Sequence, residues 1–214
     1  MPLSAHAVRV LGALLEKERT TPDAYPLSSQ ALLAACNQKT ARDPVLTLHA
    51  REVDEALQQL RDRGLAATVR SAGDRVPKHR QRFTDAARLG PREAALLAVL
   101  MLRGPQTAGE LRTRTERYVS FPDVGSVDAT LEALQARSPA LVRNRGRGPG
   151  QSQDRWTHTL GEDPEERRPR ARPPREVDPS PAEGDEAPAP SVAELAERLA
   201  ELERRVSALE GGAR

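Results

Sequence analysis

Apolar positions recur at helical spacing in three successive stretches, and then the whole series comes round again. In AHAVRVLGALLEK, Ala7, Val8, Leu11, Leu14 and Leu15 fall along one side of a helix. A short second helix begins at Ser28 (SSQALLAAC), and a third, REVDEALQQLRDRGL, turns Val53, Leu57 and Leu60 to one face. The second half opens with PREAALLAVLMLRG, where Pro91 sits near the first turn, Glu93 favours the positive helix end, and Gly104-Pro105 is the stop. TAGELRTRT follows, its start marked by a T-x-x-E capping box of Thr107 and Glu110. The third helices match position for position: Val53, Asp54, Leu57, Leu60 and Arg63 correspond to Val127, Asp128, Leu131, Leu134 and Arg137 in GSVDATLEALQARSPAL.

Each third helix is followed by two short extended segments around a polar, glycine-containing turn. LAATVRS and RQRFT flank AGDRVPKH in the first half; ALVRN and DRWTHT flank RGRGPGQSQ in the second. Three helices and then a β-hairpin is the order of a winged helix-turn-helix domain, and the internal repeat makes two in tandem the expected fold. The fold class is thus mainly α with small β-hairpins, residues 1–88 forming one winged helix and 89–161 the other.

Residues 162–190 hold eight prolines and fourteen charges in 29 positions, too little apolar surface to offset the entropy of ordering, so they read as a disordered linker. Residues 191–210 read as a coiled-coil-type helix. Val192, Leu195, Leu199, Leu202, Val206 and Leu209 keep strict 3-4 spacing, with a Ser191/Glu194 capping box before them and Gly211-Gly212 after. In a parallel pair, Arg198 and Arg205 at g meet Glu203 and Glu210 at e, which favours a homodimer over a lone helix or one folded back on the body.

The 214 residues suit one large domain or two small ones, and no apolar run is long enough for a membrane span. Residues 1–20 mix apolar and charged positions, unlike a signal peptide. A single cysteine, Cys36, excludes a disulfide framework and fits a reducing cytoplasm. The net charge of +2 conceals an asymmetry. Up to Gly161 there are 24 basic and 17 acidic residues, a net of +7; beyond it, 9 and 14 leave −5. A basic body suggests a polyanionic partner. Thirty arginines beside three lysines, with no isoleucine, point to GC-rich coding rather than to selection for bidentate phosphate contacts.

The stretch LLEKERTTPDAYPLSSQALLAACNQKTARDPV, with LRGPQTAGELRTRTERYVSF and VDATLEAL further on, resembles the YceH-like family of uncharacterised bacterial proteins. The resemblance runs from about Leu3 to Leu160 and implies a tandem winged-helix fold. It implies no activity and no functional residues.

Charge is concentrated in the two hairpins. Arg70, Arg75, Lys78, Arg80, Arg82 and Arg88 outweigh Asp74 and Asp85 in the first, and Arg143, Arg145, Arg147 and Arg155 outweigh Asp154 in the second. Such tips can lie along a phosphate backbone. Lys39 and Arg42, in NQKTARDP before the first half's third helix, join Arg70, Arg75, Lys78, Arg80, Arg82, Arg143, Arg145 and Arg147 as candidate nucleic-acid contacts. Asn37 and Gln38 either read adenine edges or, for Asn37, end the helix in left-handed geometry; the cap is the stronger reading. The third helices argue against sequence reading, since Glu52, Asp54, Glu55 and Asp62 outnumber Arg51, Arg61 and Arg63 and would meet phosphates with like charge.

Catalytic signals are weak. His6, His49, His79 and His158 stand alone, no metal spacing or cofactor-binding motif occurs, and Cys36 reads as a buried thiol. The sequence therefore predicts no enzyme and no cofactor. It predicts a transcriptional-regulator-like protein that grips duplex DNA through its hairpins, or alternatively an adaptor whose acidic third helices dock a protein partner.

Overall fold

In the computed structural model, residues 2–161 apart from 71, 72, 74 and 149 are described, together with 201 and 204. The chain divides into two units, Met1–Arg170 and Ala171–Arg214. In the second, Glu201 and Arg204 are helical and paired at 3.3 Å. The heptad positions Val192, Leu195, Leu199, Leu202, Val206 and Leu209 lie outside the described residues.

The first unit is built around two helices. α1 (Ala5–Thr20) starts at Ser4, whose hydroxyl accepts from the Ala7 N–H at 3.2 Å. α5 (Pro91–Arg103) starts at Gly90, whose N–H is held at 2.6 Å by the Glu93 carboxylate, and stops at Gly104 with φ +69°. Every residue from Ala7 to Glu16 and from Ala94 to Leu102 is buried. Helices buried on all sides are central elements, not amphipathic surface ones. The two pack against each other. A Cβ on Gly12 would lie 3.0 Å from both Leu102 Cγ and Met101 Cβ, so the bare glycine is what lets the backbones approach.

Around this pair the chain runs twice through the same order. The first half continues with β1 (Leu27–Ser28), α2 (Ser29–Cys36), α3 (Ala50–Asp62), β2 (Ala66–Val69), β3 (Lys78–Gln81) and α4 (Phe83–Ala86). After α5 come α6 (Ala108–Thr115), α7 (Val124–Gln135), β4 (Val142–Asn144) and β5 (Trp156–His158). The capping box of Thr107 and Glu110 forms as the spacing predicts, and Ser28 caps α2 by accepting from Ala31 N. The architecture is mainly helical, with seven α-helices among the described residues and two small antiparallel sheets. Among those residues no helix is long and apolar enough to cross a membrane.

The first sheet has the order β1-β3-β2, with Leu27 opposite His79 and Ala66 opposite Gln81. The second pairs Val142 with His158 and Asn144 with Trp156. The repeat extends to a detail the sequence does not announce. In each half, residues just before the second helix pair with the hairpin's return strand: Leu27 and Ser28 with β3, and Gln106 with Trp156 through bonds of 3.0 and 2.8 Å.

Three local expectations are corrected. The return strand of the first hairpin begins at Lys78, earlier than RQRFT, and Phe83 belongs to α4. Gln81 explains the turn, since its side-chain oxygen accepts from Thr84 N at 3.0 Å and ends the strand. Asn37 does follow α2, but with φ −94° rather than in the left-handed region. Its side chain instead bonds both backbone groups of Leu48 at 2.8 Å, closing the loop that leads to α3.

Candidate nucleic-acid interface

β3 alternates as a half-buried strand does, so His79 and Gln81 point inward while Lys78 is half-buried and Arg80 exposed on the other face. Three side chains fix that register. His79 is buried, with Nε2 2.9 Å from Ser29 Oγ and Nδ1 3.2 Å from Thr68 Oγ1, and the Gln81 N–H donates to the Tyr25 hydroxyl at 2.6 Å. Burial, and then the nearby Arg61 charge, lower the His79 pKa, which favours the neutral ring. Arg70, Arg75 and Arg82 are exposed around the same hairpin. Among the described residues, no ion pair ties up any of Arg70, Arg75, Arg80 and Arg82.

The second hairpin is different. Arg147 pairs with Asp154 at 3.1 Å, and Arg155 reaches the Glu110 carboxylate at 3.2 Å and the Pro105 carbonyl at 2.9 Å. Arg143 and Arg145 are half-buried. Much of the charge counted there from the sequence is directed into the protein itself.

Of the two loop candidates, Lys39 is exposed. Arg42 is not available to a phosphate: it is 5 % exposed and its guanidinium is fully engaged. It donates to both Glu16 carboxylate oxygens, to the Ala35 carbonyl at 2.8 Å and to Gln38 Oε1 at 2.9 Å. The reason is Glu16, a carboxylate on α1 that is 1 % exposed and needs a counter-charge. Arg117 pairs with it too, and the Tyr118 hydroxyl donates to it at 3.1 Å. Burial works against its ionisation, but the Arg42 hydrogen bond and charge, with Arg117 and Lys17 behind, outweigh it and lower the pKa. Arg9, also buried, donates to the carbonyls of Cys36 (3.2 Å) and Pro44 (2.6 Å). Arg9, Asn37 and Arg42 thus strap the α2–α3 loop to the core, and the half-buried Gln38 adds its Oε1 to that strap. Sequence reasoning passed over Glu16 and Arg9. The signal was present, since Arg9, Gly12 and Glu16 share one face of a helix otherwise lined with apolar residues.

On α3 the carboxylates of Asp54, Glu55 and Asp62 are exposed, and Arg51 is paired with Glu55 at 2.8 Å. On α7, Glu132 is exposed and Asp128 half-buried; burial, then the Glu132 charge, raise the Asp128 pKa. Cys36 is buried, which pushes its thiol up to about 12 and leaves it unreactive. Among the described residues, no three His, Cys, Asp or Glu side chains gather as metal ligands would.

Residues 3–151 match the family model described as "Protein of unknown function, DUF480". A UPF0502 protein of Solibacter usitatus is 50% identical over 161 residues, which cover 75% of this chain and 77% of the relative. A UPF0502 protein of Geotalea daltonii is 50% identical over 167 residues, 78% of this chain and 76% of the relative. One of Shewanella loihica is 43% identical over 166 residues, 76% and 77% of the two chains. The family model spans both halves of the helical unit, ending at residue 151, and with it the chain belongs to the DUF480 family of uncharacterised bacterial proteins.

Proposed function

We propose that the chain is a nucleic-acid-binding protein of the cytoplasm, not an enzyme, whose two halves are winged helices and whose main phosphate grip is the β2–β3 hairpin. The observation that carries this reading is the set Arg70, Arg75, Arg80 and Arg82, exposed around one hairpin and held by no ion pair among the described residues. Unpaired guanidiniums are free to neutralise phosphates, and the counterions released from the nucleic acid drive binding. Contact through a hairpin, beside third helices that expose carboxylates, suits backbone binding with little sequence reading. The heptad seam from Val192 to Leu209 would join two copies and double the number of hairpins on one duplex.

The test is a salt titration of the full chain with random duplex DNA. Affinity should fall steeply with salt. Replacing Arg75, Arg80 and Arg82 by alanine should flatten the log–log slope by about one unit for each phosphate no longer neutralised, and Arg147→Ala should change it less. The same titration on a chain ending at Pro190 should show weaker binding if the seam pairs. Absence of binding at about 50 mM salt sinks the reading, because electrostatic attraction to phosphate is strong there. A second reading then gains weight: the exposed Asp54, Glu55 and Asp62 of α3 suit an adaptor that docks a basic protein partner.

A further inference from the structure

The end of α5 and the C-terminal part of α6 border an open depression of about 540 Å³, lined by Arg103, Thr113, Arg114, Glu116 and Arg117. Three arginines therefore share one pocket with a single carboxylate. Two of them are partly compensated: Arg114 lies 3.4 Å from Glu110, and Arg117 pairs with Glu16. Neither acid serves one arginine alone. Glu110 also holds Arg155 at 3.2 Å, and Glu16 also holds Arg42 and, at 3.8 Å, Lys17. No carboxylate among the described residues forms an ion pair with Arg103. With these partners included, six cations stand against three carboxylates, Glu16, Glu110 and Glu116.

Like charges gathered in a partly desolvated site repel one another. Burial, and then the charges of Arg114 and Arg117, lower the Arg103 pKa. A bound anion would offset both effects. The lining says which anion. Guanidiniums hold phosphate oxygens through charge-assisted hydrogen bonds. No apolar residue lines the depression to enclose the body of a small molecule, so it suits a phosphate carried on a chain that crosses the surface.

We propose that Arg103, Arg114 and Arg117 form a second phosphate site for the nucleic-acid backbone. The second half then grips through α5 and α6, where the first half uses its hairpin. The site rests on the reading of the chain as a nucleic-acid-binding protein, and it extends that reading to the second half. In the β4–β5 hairpin, Arg147 and Arg155 are taken by Asp154 and Glu110, whereas Arg103 has no such partner among the described residues.

The experiment is the salt titration of the full chain with random duplex DNA, run beside two variants. Arg103→Gln should flatten the log–log slope by about one unit, the loss of one phosphate contact. Its thermal midpoint should stay within about 2 °C of wild type, because the repulsion it removes offsets the loss of a cation at the negative end of α5. Thr113→Glu, at an exposed position, places a carboxylate in the depression and should weaken duplex binding about tenfold. It is the deciding variant should Arg103→Gln fail to fold. Wild-type binding with both variants indistinguishable from it overturns this site and leaves the hairpin grip standing, provided that replacing Arg75, Arg80 and Arg82 still flattens the slope. No binding by the wild-type chain at about 50 mM salt overturns both.

Discussion

Glu16 is a carboxylate at the centre of a helical unit, 1 % exposed, facing Arg42, Arg117, Lys17 and the Tyr118 hydroxyl. A buried ion pair adds little over an apolar substitute, but removing one partner strands the other. Glu16→Ala leaves the buried Arg42 without its counter-charge and should cost about 3–5 kcal/mol in urea unfolding at pH 7. Arg117 is half exposed, and Arg117→Ala should cost at most about 1 kcal/mol. The pH dependence follows from the lowered carboxyl pKa. A carboxylate whose folded pKa is depressed contributes fully above its unfolded value, near 4.5 here, and the contribution is lost as pH falls through the folded value. The stability gap between wild type and Glu16→Ala should therefore be widest at neutral pH and narrow progressively on acidification below 4.5. A gap independent of pH would mean that Glu16 acts by packing and not by charge. Arg42 shows why such a pair is hard to see beforehand. An arginine in a polar loop reads as solvated, and only the carboxylate 26 positions away decides otherwise.

At the scale of elements, the α1–α5 crossing depends on Gly12. Valine there would push branched methyls into Leu102 and Met101, where even a Cβ sits at 3.0 Å. Overpacking of this kind costs about 1–3 kcal/mol. Gly109 in α6 is the control: a Cβ there meets only Thr107 Oγ1 at 3.9 Å, so Gly109→Ala should be neutral or stabilise by up to about 1 kcal/mol. Thermal midpoints that move in opposite directions would locate the cost in the crossing; equal shifts would assign it to helix propensity. The same contrast explains how much of the fold could be read from the sequence. Helix starts at Ser28, Pro91 and Thr107 and the stop at Gly104 are local chemistry, and the helices begin and end within a few residues of those signals. β1 is two residues long and exists only because β3 lies beside it, and α4 depends on Gln81 folding back onto Thr84. No window of sequence around β1 contains its partner strand. The hairpin charge was equally legible as composition, but Arg147 and Arg155 are spent on Asp154 and Glu110, the latter in a helix 45 residues away.

At the scale of the whole unit, the two repeats share one interior. The buried apolar residues form a single cluster that includes Leu11, Leu32 and Leu57 from the first half and Leu96, Leu131 and Trp156 from the second. The chain start is tied to the end of the second half by the Leu3 N–H donating to the Leu160 carbonyl at 2.8 Å, and Glu16 reaches across to Arg117. Splitting the halves would expose the shared faces of α1 and α5, so neither should persist once the other melts. Trp156 makes this measurable, because it is the chain's one tryptophan, is 6 % exposed and reports on the second half. Leu57 is 1 % exposed on α3 in the first half. Leu57→Ala removes buried methyl groups there and should cost about 2–5 kcal/mol. In one cooperative unit, that loss lowers the denaturation midpoint of Trp156 fluorescence by as much as that of the helical circular dichroism signal, and the two probes stay coincident. Independent halves would behave otherwise: the fluorescence midpoint would ignore Leu57→Ala while the dichroism curve split in two. Coincident shifts would make each hairpin's position a property of the whole core, so that a surface built from either half is held in place by both.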